Sequence, residues 1–470
     1  MNIDETIDAF RRGAIDLDCK NMVLSRHKEG GERLEGPGYI RQDPDGSLLF
    51  KLYVTRSENA HPLRHFESQL TAVAGKLHPD ELSYDLTAVG HGGTQWTADR
   101  ILPQVNWDMR DNSVLAGGKV QSIVAKLERP QPHRYLRLHF FEEYDVPLRL
   151  MSETEIHGSR YMVLDRAEFE ACGSKFEVRK REGSGDTVIE LTSDTAFPTA
   201  FHLRVQEALQ YITGKTAIWR ARVESEGDKL VLELASPWRK SSRTQFGPPI
   251  APATIDFRNQ GWELFACYLT YVADKTEGTY WNPVAYHLYN ACEASANSVD
   301  AAAVAVSVAV EAVAGLIEMP GDKAKTVRVA LLQKRMLEFL TAQADLSDVA
   351  LRMEKLISTL GSKRPQDTLH ALAETGHVEK RYVGAWTYLR NRHVHPKLKD
   401  LKKPDVVDNQ KLLDHIHRVE VLLRQLTFYL IGYKGPFTDY GVENFPSKQY
   451  PLAESGTSME SPSNSKTDSS

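Results

Sequence analysis

The chain has 470 residues, of which 41% are hydrophobic and 26% charged, the usual composition of a folded globular protein. This length predicts two or three domains, because a single hydrophobic core stops growing well below it. The net charge is -5, from 58 Lys and Arg against 63 Asp and Glu. That balance excludes a protein that coats nucleic acid through its overall charge, so any basic site must be local.

Cysteine usage and the amino terminus predict a cytoplasmic protein. The four cysteines are scattered, which disfavours a disulfide framework and a C-x-x-C metal knuckle; they are Cys19, Cys172, Cys267 and Cys292. The first residues, MNIDETIDAFRRG, lack the apolar core of a secretory signal. The most apolar stretch, residues 301–319, is Ala-rich and contains Glu311, so we expect a buried helix there and no membrane span.

The first half of the chain reads mostly as strand. In GYIRQDPDGSLLFKLYVTR, Pro44 presets a turn and Gly46 supplies positive φ between two alternating runs, which predicts a hairpin. One segment, FHLRVQEALQYIT, has helical periodicity instead. Comparable strand runs are ELSYDLTAV, HRYLRLHFF, KFEVRKREGSGDTVIELT and AIWRARVESEGDKLVLELA.

A Pro-rich connector, FGPPIAPAT at residues 246–254, marks a change in character. Beyond it, long segments of helical periodicity predict an all-helical half. The last eighteen residues carry seven serines and no aromatic residue, so we expect them to be disordered. The predicted organisation is α+β with a strand-rich domain at 1–250, an all-α bundle at 255–435 and a tail at 453–470.

One predicted helix ends in a polar motif. Tyr382, Trp386 and Leu389 share an apolar face, and the helix then runs into Arg390-Asn391-Arg392-His393-Val394-His395-Pro396. Pro396 disfavours the α conformation in the residue before it, so the helix should break at His395. Asn391 and His395 lie one turn apart, and the break would let the imidazole swing back toward Arg390.

Local charge around this motif is positive. Residues 361–403 contain ten Lys or Arg against four acids, a net of +6, so the rest of the chain carries -11. An RNA-binding patch on an acidic protein would have this asymmetry. The alternative is a solvated helix end with cations favoured by the helix dipole.

Two His-x-His pairs could be considered as metal ligands, but the spacing of their histidines disfavours a metal site. Residues two apart on a helix point about 200° apart, so neither His393 with His395 nor His415 with His417 would converge on one ion. No carboxylate or cysteine cluster with ligand spacing supports a metal site. We interpret His415 and His417 as ordinary surface or interhelical histidines.

The segment Arg390–Pro396 resembles the R-x-x-x-x-H signature of HEPN ribonucleases, in the form with Asn after the Arg. Its place in a late helix, the Pro after the His, the helical bundle and the preceding strand-rich domain together resemble ApeA-type anti-phage proteins. Those proteins pair an ApeA-like amino-terminal domain with a HEPN domain. The HEPN resemblance covers about residues 255–435, and it carries no functional residue over to the first half.

The resemblance implies a metal-independent endoribonuclease without a cofactor. His395 would be the general acid–base group for attack by the RNA 2′-hydroxyl, and Arg390 would stabilise charge on the phosphate. Asn391 would orient the phosphate or His395. Arg392, His393 and Lys397 would bind RNA, and Glu311 would pair with Arg390.

The resemblance also implies partners and a setting. RNA, with tRNA among the candidates, would be the substrate in abortive infection against phage. The helical domain would form a homodimer or higher homo-oligomer, and the first domain would sense a phage-derived trigger or restrain the nuclease.

Two other classes of function remain open. The first is a non-catalytic HEPN module that binds or dimerises, since some HEPN proteins are not enzymes. The second makes the first half the active part, as a β-rich ligand or carbohydrate binder with a helical dimerisation domain. A cleft lined with aromatics in the first half would favour that class.

Overall fold

The computed structural model divides the chain into two compact units. The sheet unit comprises Met1–Gln206 and Ala217–Ser241, and the helical unit comprises Glu207–Thr216 and Ser242–Ser470. The structure describes residues 1–59, 76, 78–108, 110, 113–129, 131, 133–156, 159–181, 185–226, 228–237, 246–320, 322–342, 347–360, 364–394 and 406–452. The predicted tail at 453–470 lies outside these residues.

The sheet unit is built around antiparallel strands. Helix α1 (Ile3–Arg11) precedes them, with the Asn2 side chain accepting from the amides of Asp4 and Glu5 at its start. The strands are β1 (Asp16–Arg26), β2 (Arg33–Gln42), β3 (Leu48–Val54), β4 (Arg56–Glu58), β5 (Tyr84–Gly90), β6 (Gln95–Ile101), β7 (Gln104–Asp108), β8 (Ser113–Val120), β9 (Ser122–Glu128), β10 (Arg134–Phe140), β11 (Leu150–Ile156), β12 (Ser159–Ala171), β13 (Ser174–Lys180), β14 (Thr187–Ser193), β15 (Ala221–Glu226) and β16 (Lys229–Ala235).

Among the described residues these sixteen strands form one sheet. Their order is β11-β12-β13-β14-β10-β15-β16-β9-β6-β5-β1-β2-β3-β8-β7, with β4 on β2. Only Gln121 joins β8 to β9, yet five strands lie between them in the sheet. The sheet must therefore curl, and it encloses a core that includes Phe10, Trp96 and Leu232, each at most 2% exposed.

The predicted hairpin is confirmed as β2 and β3. Gly46 has φ +84°, a conformation that other residues rarely adopt, and its amide donates to the Asp43 carbonyl oxygen at 2.8 Å. The Asp45 carboxylate accepts from the Ser47 amide at 2.8 Å. Local turn chemistry therefore set the register of this pair.

Helix α2 (Phe201–Thr213) matches the predicted segment and is divided between the two units after Gln206. It ends at Gly214, whose φ is +64° and whose missing Cβ leaves room for the Phe246 carbonyl oxygen. The helical unit therefore includes residues 207–216, which the predicted division at residue 250 assigned to the first domain.

Nine helices follow within the described residues, and the connector at 246–254 contains neither helix nor strand. They are α3 (Ile255–Lys275), α4 (Pro283–Ser295), α5 (Val299–Leu316), α6 (Asp322–Ala342), α7 (Ser347–Thr359), α8 (Pro365–Glu374), α9 (Lys380–Leu389), the π-helical turn Arg390–Val394 and α10 (Val406–Ile431). Helices α4 and α5 are separated before Ser298, whose hydroxyl caps α5 by accepting from the Ala301 amide.

The prediction that this half is all-α is wrong at its end. Strands β17 (Gly435–Thr438) and β18 (Ser447–Tyr450) form an antiparallel pair after α10. Four-residue strands give too short an alternation to be recognised from periodicity. The coarse division into a strand-rich unit and a helical unit is confirmed.

Candidate functional site

Helix α9 is held on the side that the sequence predicted. Tyr382, Trp386 and Leu389 are each at most 3% exposed. The Tyr382 hydroxyl donates to the buried Asp439 carboxylate at 2.5 and 2.7 Å, and Trp386 Nε1 donates to the Ser307 carbonyl oxygen at 3.1 Å. These contacts fix α9 against α5 and against the segment after α10, and so set the direction of the residues that follow.

The helix changes pitch where the motif begins. Residues Arg390–Val394 form a π-helical turn, a wider helix that is rare and occurs often at functional sites. In sequence, Pro396 has no amide hydrogen, so the Arg392 carbonyl lacks its usual α-helical donor. The break expected at His395, together with Pro396 and Lys397, lies outside the described residues.

Arg390 lies in the ion pair expected from the resemblance. Its Nε donates to Glu311 Oε2 at 3.2 Å, and its Nη2 lies 3.5 Å from Glu311 Oε1, so the contact is two-pronged. The Arg390 guanidinium carbon also lies 5.7 Å from the Trp386 ring centroid. Both charged side chains are about one-third exposed. The guanidinium is thus oriented by α5 but still reachable from solvent.

The next three residues have different surroundings. Asn391 is exposed, and Arg392 Nη1 donates to the Tyr388 hydroxyl at 2.6 Å. His393 lies against α5, with Nδ1 3.3 Å from Asp300 Oδ1 and a side chain only 10% exposed. Burial lowers the pKa of His393, while the Asp300 carboxylate opposes that shift.

Sequence reasoning missed a contact on the other side of α9. The His415 ring of α10 stacks on Tyr388 with centroids 4.3 Å apart, and Lys411 Nζ lies 5.6 Å from the Tyr388 centroid. Burial lowers the pKa of His415, and the cations Arg418 and Lys411 lower it further. Because Tyr388 and His415 belong to different helices 27 residues apart, no spacing rule links them.

The described residues contain no group of three or more His, Cys, Asp or Glu side chains arranged to hold a metal ion. Helix α5 is the one described helix long and apolar enough to cross a membrane by length and composition. In the structure 44% of that stretch is buried, and it carries the Ser307 and Glu311 contacts to α9.

A separate cavity of about 30 Å³ lies inside the helical unit. Apolar groups make up most of its wall, and Glu420 and Arg424 of α10 also line it. Burial raises the pKa of Glu420 to about 7, and the Arg424 cation limits that rise. This volume admits about two water molecules, too little for a nucleotide.

No family model matches the chain, and no curated protein or solved structure is significantly similar to it. The resemblance to HEPN ribonucleases therefore depends on residues 390–395 and on the helices around them. Of the site residues expected from the sequence, the structure describes Glu311, Arg390, Asn391, Arg392 and His393, and His395 and Lys397 lie outside its described part.

Proposed function

We propose that the chain is a metal-independent RNA endonuclease of the HEPN type that acts in bacterial anti-phage defence by abortive infection. The observation that carries this proposal is the contact between Arg390 and Glu311. It holds a partly exposed guanidinium in a defined direction next to the exposed Asn391, one turn before His395 in sequence. An oriented, reachable guanidinium suits charge stabilisation on a phosphate.

The proposed reaction uses the RNA 2′-hydroxyl as the nucleophile. His395 removes its proton as the oxygen attacks the adjacent phosphorus, and the imidazolium then protonates the departing 5′-oxygen. The products are a 2′,3′-cyclic phosphate and a 5′-hydroxyl. Arg390 stabilises charge on the non-bridging oxygens, and Asn391 orients the phosphate or His395. DNA lacks the 2′-hydroxyl and is not cut.

The proposed enzyme is a homodimer through its helical unit. Helix α6 packs one face on α7, where Gln333 Nε2 donates to the Ile357 carbonyl oxygen at 2.8 Å. The two helices and the residue after α7 expose seven large apolar side chains by 40–70%: Val327, Leu331, Leu332, Phe339, Met353, Leu356 and Leu360. At about 150–200 Å² for each fully exposed side chain, they leave roughly 600–700 Å² bare, close to one partner's share of a standard interface.

In this proposal the sheet unit senses infection in the cytoplasm and restrains or releases the nuclease. The support is its separate compact organisation around one curled sheet. Its trigger would be phage-derived.

One observation favours a second candidate, a HEPN module that binds without cutting. Arg390 is already paired with Glu311 and lies near the Trp386 ring, an arrangement that also suits a purely structural cation. The two candidates differ in the products, because only the enzyme makes cyclic phosphate ends.

The test is incubation of the purified full-length protein with total RNA in EDTA, followed by mapping of the cut ends. We expect cleavage with 2′,3′-cyclic phosphate ends, which His395→Ala and Arg390→Ala both abolish while the circular dichroism spectrum is unchanged. His370→Ala is the matched control, because His370 is exposed on α8. Wild-type cleavage by His395→Ala, or cleavage that requires added magnesium, contradicts the proposal.

A further inference from the structure

Tyr388 and three side chains around it form a surface feature that the proposed chemistry does not use. This Tyr388 patch consists of Tyr388 on α9, Arg392 in the π-helical turn, and Lys411 and His415 on α10. Arg392 is hydrogen-bonded to the Tyr388 hydroxyl, His415 stacks on the ring, and Lys411 lies beside it. Lys411 is exposed, and the other three are half-buried.

The two cations of the Tyr388 patch differ from Arg390 in their partners. Within the part of the chain that the structure describes, neither Arg392 nor Lys411 has a carboxylate partner, whereas Arg390 is paired with Glu311. The nearby Asp414 carboxylate accepts from the Gln410 amide at 2.8 Å. Two unpaired cations beside one aromatic ring make a surface suited to an anion.

The patch adjoins the proposed catalytic residues. Tyr388 and Arg392 lie one helical turn apart on the chain, with Arg390 and the exposed Asn391 between them. Arg390 turns toward α5, while Tyr388, whose hydroxyl accepts from Arg392, meets His415 of α10. Arg392 of the patch directly follows Asn391 in the chain, so a strand bound at Asn391 lies close to the patch.

We propose that the Tyr388 patch binds a nucleotide of single-stranded RNA next to the phosphodiester that is cut. Arg392 and Lys411 contact its phosphate oxygens, and Tyr388 offers an aromatic surface to its base. The strand is single because a base in a duplex is stacked between its neighbours and not available to the ring. His415 is a positioning residue that stacks on the Tyr388 ring. This inference rests on the proposed function.

The test uses full-length protein carrying His395→Ala, so that RNA is bound but not cut, and a fluorescein-labelled single-stranded oligoribonucleotide. Binding is measured between 50 and 300 mM salt for this background and with Lys411→Gln, Tyr388→Ala or Lys434→Gln added. Lys434 is the matched control, an exposed lysine beyond α10. Lys411→Gln should reduce the salt slope by about 0.7, the value for one phosphate contact on a single strand.

Tyr388→Ala should weaken binding about tenfold, the effect of one lost base-stacking contact, and Tyr388→Phe should retain most of the affinity. A duplex of the same length should bind with equal affinity to the background and to Tyr388→Ala. If Lys411→Gln and Tyr388→Ala both match Lys434→Gln in affinity and salt slope, the inference is overturned.

That result is separate from failure of the proposed function, which is read from cleavage by the wild-type chain. A protein that binds RNA through the patch but never cuts would retain the patch as an RNA-binding surface and refute the nuclease, and with it the placement beside a cut phosphodiester. Cleavage by the wild-type chain, together with unchanged RNA binding by the patch variants, would support the nuclease and overturn the inference. Because Lys411 is exposed, its substitution remains informative if Tyr388→Ala fails to fold.

Discussion

Trp386 and Ser307 are joined by a hydrogen bond one turn before Arg390 and Glu311 on their respective helices. The buried indole thus anchors α9 to the carbonyl of α5, and the ion pair follows on the same two helices. Burial of the Trp386 side chain stabilises the packing of α9 on α5, whereas the partly exposed pair of Arg390 and Glu311 contributes little stability. The indole therefore fixes the position of α9 from which the Arg390 side chain reaches Glu311.

Trp386→Phe should lower the free energy of unfolding by about 1 kcal/mol, because it leaves the Ser307 carbonyl without this donor but keeps most of the packing. Trp386→Ala should cost about 3–5 kcal/mol through the cavity it creates. Urea denaturation followed by circular dichroism measures both. Equal losses for the two variants would contradict the role given to packing.

Glu311→Gln should lower kcat for RNA cleavage about five- to tenfold with KM nearly unchanged, because Arg390 loses the carboxylate that orients it. The thermal midpoint should move by no more than a few degrees, since a one-third exposed pair contributes about 0.2–1 kcal/mol. Glu318→Gln, at an exposed acid just after α5, is the control. A change in stability with unchanged kcat would give Glu311 a purely structural role.

Stability should decline as pH rises through the titration of Glu420. Its pKa in the folded chain is raised by burial to about 7 from its usual value of 4.5, so between these values the folded state binds a proton that the unfolded state has released. The wild type should therefore lose up to about 3 kcal/mol relative to Glu420→Gln as pH increases across that window.

The measurement for Glu420 is the thermal midpoint at pH 5 and pH 8. The two chains should be close at pH 5, and Glu420→Gln should unfold at the higher temperature at pH 8. Glu443→Gln, at an exposed acid, should follow the wild type at both. A parallel pH dependence for wild type and Glu420→Gln would contradict this prediction.

Phe339→Asp should separate the proposed dimer into monomers, because it places a charge among the exposed apolar side chains of α6. Phe339 is 64% exposed in the single chain, so the monomer itself should remain folded. Light scattering during gel filtration gives the mass, and Phe339→Leu should remain dimeric. A wild-type chain that is monomeric at micromolar concentration removes the dimer from the proposed function.

Local patterns predicted the elements more successfully than their partners. Asp43 to Gly46 identified a hairpin and the apolar residues of FHLRVQEALQYIT a helix, because turn chemistry and periodicity act over a few residues. The order of strands in the sheet could not be predicted in this way. Strand β10 pairs with β14 and with β15, and no local pattern encodes those pairings.

The contacts of the candidate site could also be predicted only in part. The pairing of Arg390 with Glu311 could be expected from a family resemblance, and the structure contains that contact. The stack of His415 on Tyr388 could not, because periodicity identifies the face of a helix but not the residue that it meets. His415 is accordingly unsuitable as an inert control for His395.

Because α2 is divided between the two units, the Pro-rich connector is not a suitable place to cut the chain when one unit is to be exchanged. If the chain were divided at the connector, residues 207–216 would remain with the sheet unit. Their partners, however, lie in the helical unit: Tyr211 stacks on Tyr268 with ring centroids 4.2 Å apart, and Glu207 Oε1 accepts from the Asn282 amide. A chain beginning at Ile255 would expose those partners. Because a helix is cooperative along its length, melting of either unit frays α2 from one end, and calorimetry should record linked transitions.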